Sequence, residues 1–406
     1  MTIQEKIGFR KVINATGPAT VLGASKVKDS IRQDIYDILG ESVETWELQR
    51  RASEAIVKLT NAEAGCVVGC SAAGMAIAVA ASITGSDISK IKALPDVTWN
   101  KKKIIIQKGQ VTGAGDCPVY QIIKMTGAHY VEIGEALDCA TYHLRGALDE
   151  NTAAAFYIMH GEVFAPNLLP IDTFISICKE KNVPVIVDAA YLTDFKMLAS
   201  KGVDLAIYSG QKWLGGCTSG IVAGRKDLVH ACFLQELGIG RPMKVGKEGM
   251  VSIISSINNW LTEDKNEMRS YQKSLADNLS SMLSGLEGVS CKVENSSLYS
   301  PSISLGVLID DSLAKIPAWL IKEELGKMDP VIKVDNYYVN NGKIVINFAY
   351  VSEGDEKVIG DSIIKLLQNS ENYINKVLNK GKMIPKTRQD ILFDMFSKWL
   401  DGDPRE

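Results

Sequence analysis

An aspartate closes the apolar run Val185-Ile186-Val187-Asp188, and one helix-and-strand unit later a lysine stands in Ser209-Gly210-Gln211-Lys212. Open α/β sheets bind ligands outside the carboxyl ends of their strands, where both residues would lie. A lysine amine there can condense with an aldehyde. A carboxylate opposite a pyridine nitrogen can keep that nitrogen protonated, so that the ring accepts electrons from a carbanion. Together they are the pair that pyridoxal 5'-phosphate (PLP) chemistry needs, with Lys212 carrying the cofactor as a Schiff base and Asp188 holding its ring nitrogen. Each has a plain alternative, since strand-final aspartates are common and loop lysines are usually solvated. What singles the pair out is the order: strand–Asp, helix, strand–Ser-x-x-Lys, Gly-rich loop, strand.

The cofactor phosphate needs a cradle, and Gly69-Cys70-Ser71-Ala72-Ala73-Gly74 supplies one after a short strand and before an apolar helix. Small side chains let backbone N–H groups approach an anion, and a helix N-terminus adds positive partial charge. Ser71 and Ser209 offer hydroxyl donors, and Ala72 and Ala73 offer backbone. Close helix–sheet packing explains the same small residues. The glycine-rich stretch 108–115 lacks the lysine of a P-loop and is not read as nucleotide-binding. Further on, Arg241-Pro242-Met243-Lys244 carries two cations that could face one anion, with arginine giving a planar fork. A solvated basic turn is the simpler account on spacing alone. His160, just past a strand in Met159-His160-Gly161-Glu162, is placed to touch the cofactor face or substrate, or to be a satisfied structural histidine.

The elements that must position these groups are legible as apolar runs at 66–68, 104–106, 130–133, 155–159, 183–187, 205–208 and 220–223. Most are continuous rather than alternating, the pattern of strands buried on both faces. Helical patterns at 73–83, 119–125, 171–181 and 192–200 alternate with them, which predicts an α/β layer with a mostly parallel sheet. A long helical region at 249–286 follows. Alternating segments at 302–309, 331–339 and 343–348 come next, with a hairpin expected at Asn340-Asn341-Gly342 because Asn-Gly suits positive φ. Helices at 356–379 and 386–400 end the chain. The expected division is an N-terminal arm with a large domain over 1–248, then a connecting helix with a small α+β domain over 249–406.

Composition narrows the function classes. The chain has 406 residues, more than one core usually holds, and an ordinary balance of 46% hydrophobic and 23% charged residues. A net charge of -3 gives no electrostatic case for nucleic acid or an anionic membrane. Eight cysteines without a C-x-x-C pair, and four scattered histidines, argue against zinc and for a reducing cytoplasm. The start turns polar at once, without a secretory h-region. The uncharged stretch 64–86 is mostly Ala, Gly, Ser and Cys, so a buried strand, turn and helix suit it better than a membrane span.

At these residues the sequence resembles the bacterial selenocysteine synthase family. Ser209-Gly210-Gln211-Lys212-Trp213-Leu214-Gly215-Gly216 is similar to that family's cofactor-lysine segment, and Val12-Ile13-Asn14-Ala15-Thr16-Gly17 to its opening. Glu47-Leu48-Gln49-Arg50, Ser71-Ala72-Ala73 and Val185-Ile186-Val187-Asp188 fall in the matching order. Arg241 to Lys247 lines up with a basic segment that binds the substrate anion. Within the group the pattern is nearest to D-glucosaminate-6-phosphate ammonia-lyase and similar lyases. The resemblance implies the PLP-dependent transferase fold of type I (aspartate-aminotransferase-like), PLP, and a homodimer or higher homo-oligomer with sites at the subunit interface. It implies that Thr218 and Ser219, just past the lysine, reach the neighbouring subunit's cofactor phosphate. Two departures argue against tRNA-linked chemistry. The family core starts near Lys11 without the additional N-terminal tRNA domain, and Gln211 stands where synthases tend to have an acidic residue. The expectation is a lyase that removes water and then ammonia from a small anionic hydroxy amino acid. Selenium or sulfur transfer, racemisation, transamination and a non-catalytic PLP-binding regulator are the alternatives.

Overall fold

The computed structural model describes residues 2–111, 113–114, 117–159, 167–297, 300–379 and 388–397. It forms two compact units, one of Ser25–Glu263 and one of Met1–Ala24 with Asp264–Glu406.

The larger unit is built on seven strands: β1 (Ala64–Val68), β2 (Lys103–Gln107), β3 (His129–Ile133), β4 (Thr152–Ile158), β5 (Val185–Asp188), β6 (Leu205–Ser209) and β7 (Gly220–Gly224). Their spatial order is β3-β2-β4-β5-β6-β7-β1. Only β7 runs against its neighbours; the other neighbouring pairs are parallel. All seven expected strands are present. Each end differs from its apolar run by up to three residues, in part because polar ends such as Lys103, Gln107 and His129 also join the ladder. Every residue of β4 is buried, as two-sided coverage requires. The uncharged stretch 64–86 resolves into β1 and the helix Ser71–Thr84, which is buried continuously from Ala73 to Ala81. Among the described residues no helix is long and apolar enough to cross a membrane.

Strand β1 is at the sheet edge, where backbone groups lack a ladder partner. Gln49, buried on the helix Thr45–Thr60, takes the place of one: its Nε2 donates to the Val67 carbonyl at 2.6 Å and its Oε1 accepts from the Val67 N–H at 2.9 Å.

In the smaller unit, Val12–Ala15 pairs in parallel with Val331–Val334, and Val289–Ser297, Ser300–Ile309 and Lys343–Asn347 form an antiparallel sheet. Leu275, Leu279 and Leu283 from the helix Lys265–Leu283 share one core with Leu305, Val307, Ile359 and Ile363. The expected hairpin at Asn340–Gly342 is reduced to one antiparallel bridge, with the Asp335 N–H donating to the Val345 carbonyl at 3.0 Å. Val331–Val334 finds its partner in the N-terminal strand, and Lys343–Asn347 pairs with Ser300–Ile309. Gly342 does have positive φ, but it closes a 3-10 turn over Val339–Asn341. The division of the chain also differs from the one expected. The boundary at 248/249 falls inside the helix Lys247–Thr262, and residues 1–24 belong with the smaller unit through the parallel pairing. The long helical region breaks at Asp264, whose side chain caps the second helix by accepting from the N–H groups of Asn266 and Glu267. The helix expected at 192–200 is confined to Met197–Lys201.

Gln49→Leu should lower stability by roughly 1–3 kcal/mol for each Val67 group left buried without a partner. Urea unfolding measures this, and an unchanged midpoint would show that Gln49 does not secure the edge.

Candidate active site

Asp188 and Lys212 meet at the carboxyl ends of adjacent parallel strands. Asp188 ends β5 opposite Ile207 of β6, and the Ala189 N–H donates to the Ile207 carbonyl at 2.8 Å, fixing the register just past the aspartate. Two residues after Ile207 comes Ser209, and then the turn that carries Lys212. This turn is closed on itself. The Gly210 N–H donates to Ser219 O at 3.0 Å, the Gly215 N–H to Lys212 O at 3.1 Å, and the Gly216 N–H to Gly210 O at 2.9 Å. Ser25 Oγ donates to Gln211 O at 2.7 Å and the Cys217 N–H donates to Ser252 Oγ at 2.8 Å. These five hydrogen bonds hold the turn that carries the lysine.

Lys212 is only 8% exposed. Lysines are rarely so buried without a compensating partner. The ring of Tyr191 lies 3.4 Å from Nζ, measured to its centroid. Asp188 acts on the amine electrostatically. Burial pushes the Asp188 carboxyl above its ordinary range, and Lys212 and the Ala190 N–H, donating to Oδ1 at 3.1 Å, pull it back only in part. A further cationic N–H partner would complete the stabilisation of its ionised form.

The helix N-terminus at Ser71 narrows the expected anion cradle. Cys70 caps the helix, its Sγ accepting from the Ala73 N–H at 3.3 Å, and the Gly74 N–H donates to Cys70 O at 2.9 Å. The Ser71 and Ala72 N–H groups, in the first turn, have no intrahelical acceptor, so these two and not Ala73 are the backbone donors available to a phosphate. The cradle is pressed onto the sheet: a Cβ on Gly220 would come within 2.5 Å of the Cys70 carbonyl carbon. Gly220 is the cross-strand partner of Ser209, so one close approach brings the Ser71 turn beside the Ser209 strand end. Ser209 is buried, Ser71 half-buried and Thr218 exposed.

The basic segment reaches the same cradle. The Gly69 N–H donates to Met243 O at 3.2 Å, and a Cβ on Gly69 would lie 2.8 Å from that oxygen. Arg241 and Lys244 are both exposed here. Arg241 Nη1 lies 3.6 Å from Glu236 Oε2 with the arginine side chain 67% exposed, a weak pair. Burial raises the Glu236 pKa, and Arg241 and Lys244 counter that rise. His160 lies outside the described residues.

Sequence reasoning thus located Asp188, Lys212, Ser71 and Ser209 in one place, with Arg241 and Lys244 bordering it. It missed Tyr191, Cys70 and Glu236. Tyr191 stands three residues after Asp188, but its ring reaches Lys212 only because two strand ends adjoin, and no local pattern announces that.

This arrangement fits PLP by the chemistry of its donors: a buried amine for the aldehyde, a desolvated carboxylate for a pyridinium N–H, and first-turn N–H groups with two hydroxyls for the phosphate. Comparison with known proteins agrees. The family described as "SelA: L-seryl-tRNA selenium transferase" matches residues 12–276, which span this whole site. The chain belongs to this family. A D-glucosaminate-6-phosphate ammonia lyase of Salmonella typhimurium (strain 14028s / SGSC 2262) is 29% identical over 357 residues, covering 88% of this chain and 95% of that protein. A 5'-C-glycyluridine monooxygenase-decarboxylase of a Streptomyces species is 30% identical over 357 residues, covering 87% and 90%. The solved structure of D-glucosaminate-6-phosphate ammonia-lyase superposes with a TM-score of 0.81 at 28% identity, over 91% of this chain and 99% of that one. A serine palmitoyltransferase solved with PLP has the same fold at 12% identity, with a TM-score of 0.54 over 90% of this chain and 88% of that one. The fold is therefore that of type I PLP-dependent enzymes.

For this SelA family member the Asp188 environment gives a stability test. A carboxyl whose pKa is raised on folding costs stability above its unfolded pKa, and the cost is complete once pH exceeds the folded value. In the cofactor-free chain, Asp188→Asn should therefore raise Tm near neutral pH, and the gain should shrink on acidification as Asp188 takes up its proton. A lower Tm at neutral pH, or a gain that grows in acid, would contradict the account of Asp188.

Proposed function

We propose that this chain is a PLP-dependent ammonia lyase acting on a small anionic hydroxy amino acid, with D-glucosaminate 6-phosphate as the lead candidate. The observation that carries this is the buried Lys212 amine, over the Tyr191 ring and within electrostatic reach of Asp188, in a chain alignable almost end to end with such a lyase. PLP, when bound, supplies an electron sink for the carbanion formed at the substrate Cα. Lys212 would hold the cofactor and, once displaced by the substrate amine, remove the Cα proton with Nζ. Asp188 would keep the ring nitrogen protonated. Ser71, Ala72 and Ser209 would bind the phosphate, with Thr218, exposed on its loop, reaching the site of a second copy. Loss of the β-hydroxyl leaves an enamine that hydrolyses to a keto acid and ammonia.

Arg241 and Lys244 would take the substrate's anionic tail. In the free chain Arg241 is set against Glu236, so a tail phosphate would compete with an internal carboxylate, and the stronger, doubly charged bidentate partner should win. We place the enzyme in the cytoplasm as a homodimer or larger homo-oligomer. His160 remains a proposed substrate contact.

The Streptomyces relative motivates a second reading, oxidative decarboxylation of a glycine-like group, since it is as similar to this chain as the lyase. The deciding experiment incubates purified PLP-loaded protein with hydroxylated amino acids, free and phosphorylated, while following ammonia, keto acid, carbon dioxide and oxygen uptake. Ammonia and keto acid in equal amounts without oxygen uptake support the lyase. Oxygen-dependent release of carbon dioxide would replace it with the second reading.

Arg241→Ala should raise KM for a phosphorylated substrate at least several-fold and leave PLP affinity unchanged, with little effect on an uncharged analogue. Equal losses for both substrates in steady-state assays would move Arg241 from the tail to the α-carboxylate.

A further inference from the structure

Tyr191 has two anchors of different kinds. Its carbonyl accepts from Trp213 Nε1 at 2.9 Å, which ties the loop after Asp188 to the residue after Lys212. Its ring faces the Lys212 amine at 3.4 Å while the residue stays 37% exposed. A tyrosine serving only to fill the core would be buried, as Tyr157 and Tyr208 are in the same unit. A cation is attracted to the face of an aromatic ring, and more strongly where water is excluded.

We propose that Tyr191 is a positioning residue whose ring face is the resting place of the Lys212 amine when no cofactor is attached to it. The proposal rests on the reading of Lys212 as the base at Cα. In that step the proton passes from Cα to Nζ, the C–H electron pair stays with the substrate, and the lysine becomes an ammonium. The ring stabilises that ammonium until its proton passes to the departing β-hydroxyl, which leaves as water. Asp188 favours the same charged form from the strand end. The ring and the carboxylate thus both restrict where the lysine side chain rests.

The test uses the full chain freed of cofactor, so that it reads Lys212 directly. Trace acetic anhydride labels amines in proportion to their unprotonated fraction, and mass spectrometry of the Lys212 peptide gives the rate from neutral to alkaline pH. Tyr191→Leu should move the midpoint of that profile to lower pH and speed Lys212 labelling at neutral pH by about 2- to 30-fold, the range for loss of a cation–π contact. Tyr191→Phe should keep the parent midpoint, because it keeps the ring. A leucine profile identical to the parent would overturn the proposal, and so would a phenylalanine profile displaced as far as leucine's, which would assign the effect to the hydroxyl. Tyr191→Met substitutes for leucine if that variant does not fold. Labelling involves neither cofactor nor substrate, so it is separable from the lyase reading, which fails if the cofactor is found on another lysine.

Discussion

A lysine amine buried where two strands end is the constraint around which the larger unit is organised. Desolvating an ammonium costs several kcal/mol unless charge or polarisable surface compensates it. Here Asp188 on the neighbouring strand and the Tyr191 ring on the loop after it both contribute to that compensation. Both depend on the parallel pairing of β5 with β6, which sets Asp188 opposite Ile207. The lysine turn must then reverse within a few residues into antiparallel β7, and its backbone hydrogen bonds make that reversal rigid. The same reversal places Gly220 under the Cys70–Ser71 turn, where only a missing side chain allows the approach. Amine, carboxylate and anion cradle are therefore consequences of one stretch of sheet topology.

Much of this was readable in the chain because strands buried on both faces announce themselves as unbroken apolar runs. The runs ending at Val187 and Tyr208 located the strand ends, and Asp188 and Lys212 followed from what stands just beyond them. Local chemistry was less reliable where tertiary pairing competed with it. Asn340-Asn341-Gly342 has hairpin chemistry, yet Val331–Val334 pairs with Val12–Ala15, and a single bridge from Asp335 to Val345 is what joins the two arms. The apparent single helix over 249–286 is two, because the Asp264 side chain satisfies N–H groups that a continuous helix would bond internally. Tyr191, Cys70 and Glu236 were not found, for a common reason: each acts through a neighbour distant in sequence or through one atom of a cap, and neither leaves a periodic trace. Gln49 lay within a segment noted for its resemblance, but its clamp on Val67 is visible only once β1 is known to be an edge.

Under the proposed function, the basic segment would let a shared framework serve different substrates. Its backbone is tied to the cradle through Gly69 and Met243, a contact between main-chain atoms that side-chain replacement need not disturb. The side chains of Arg241, Lys244 and Glu236 project from that fixed base and are half-buried or exposed. If Arg241 and Lys244 take the substrate anion as proposed, exchange among these side chains would alter which anion is held without moving the amine or the carboxylate. That is consistent with a family whose members, at about 30% identity to this chain, carry names as different as ammonia lyase and monooxygenase-decarboxylase.

The central claim is that Lys212 is the amine that holds the cofactor. Purified protein loaded with PLP, reduced with borohydride and digested, should yield a single pyridoxylated peptide, the one containing Ser209-Gly210-Gln211-Lys212, with loss of the yellow colour. A pyridoxyl group on any other lysine, or a reduced protein with no pyridoxylated peptide, would contradict the account.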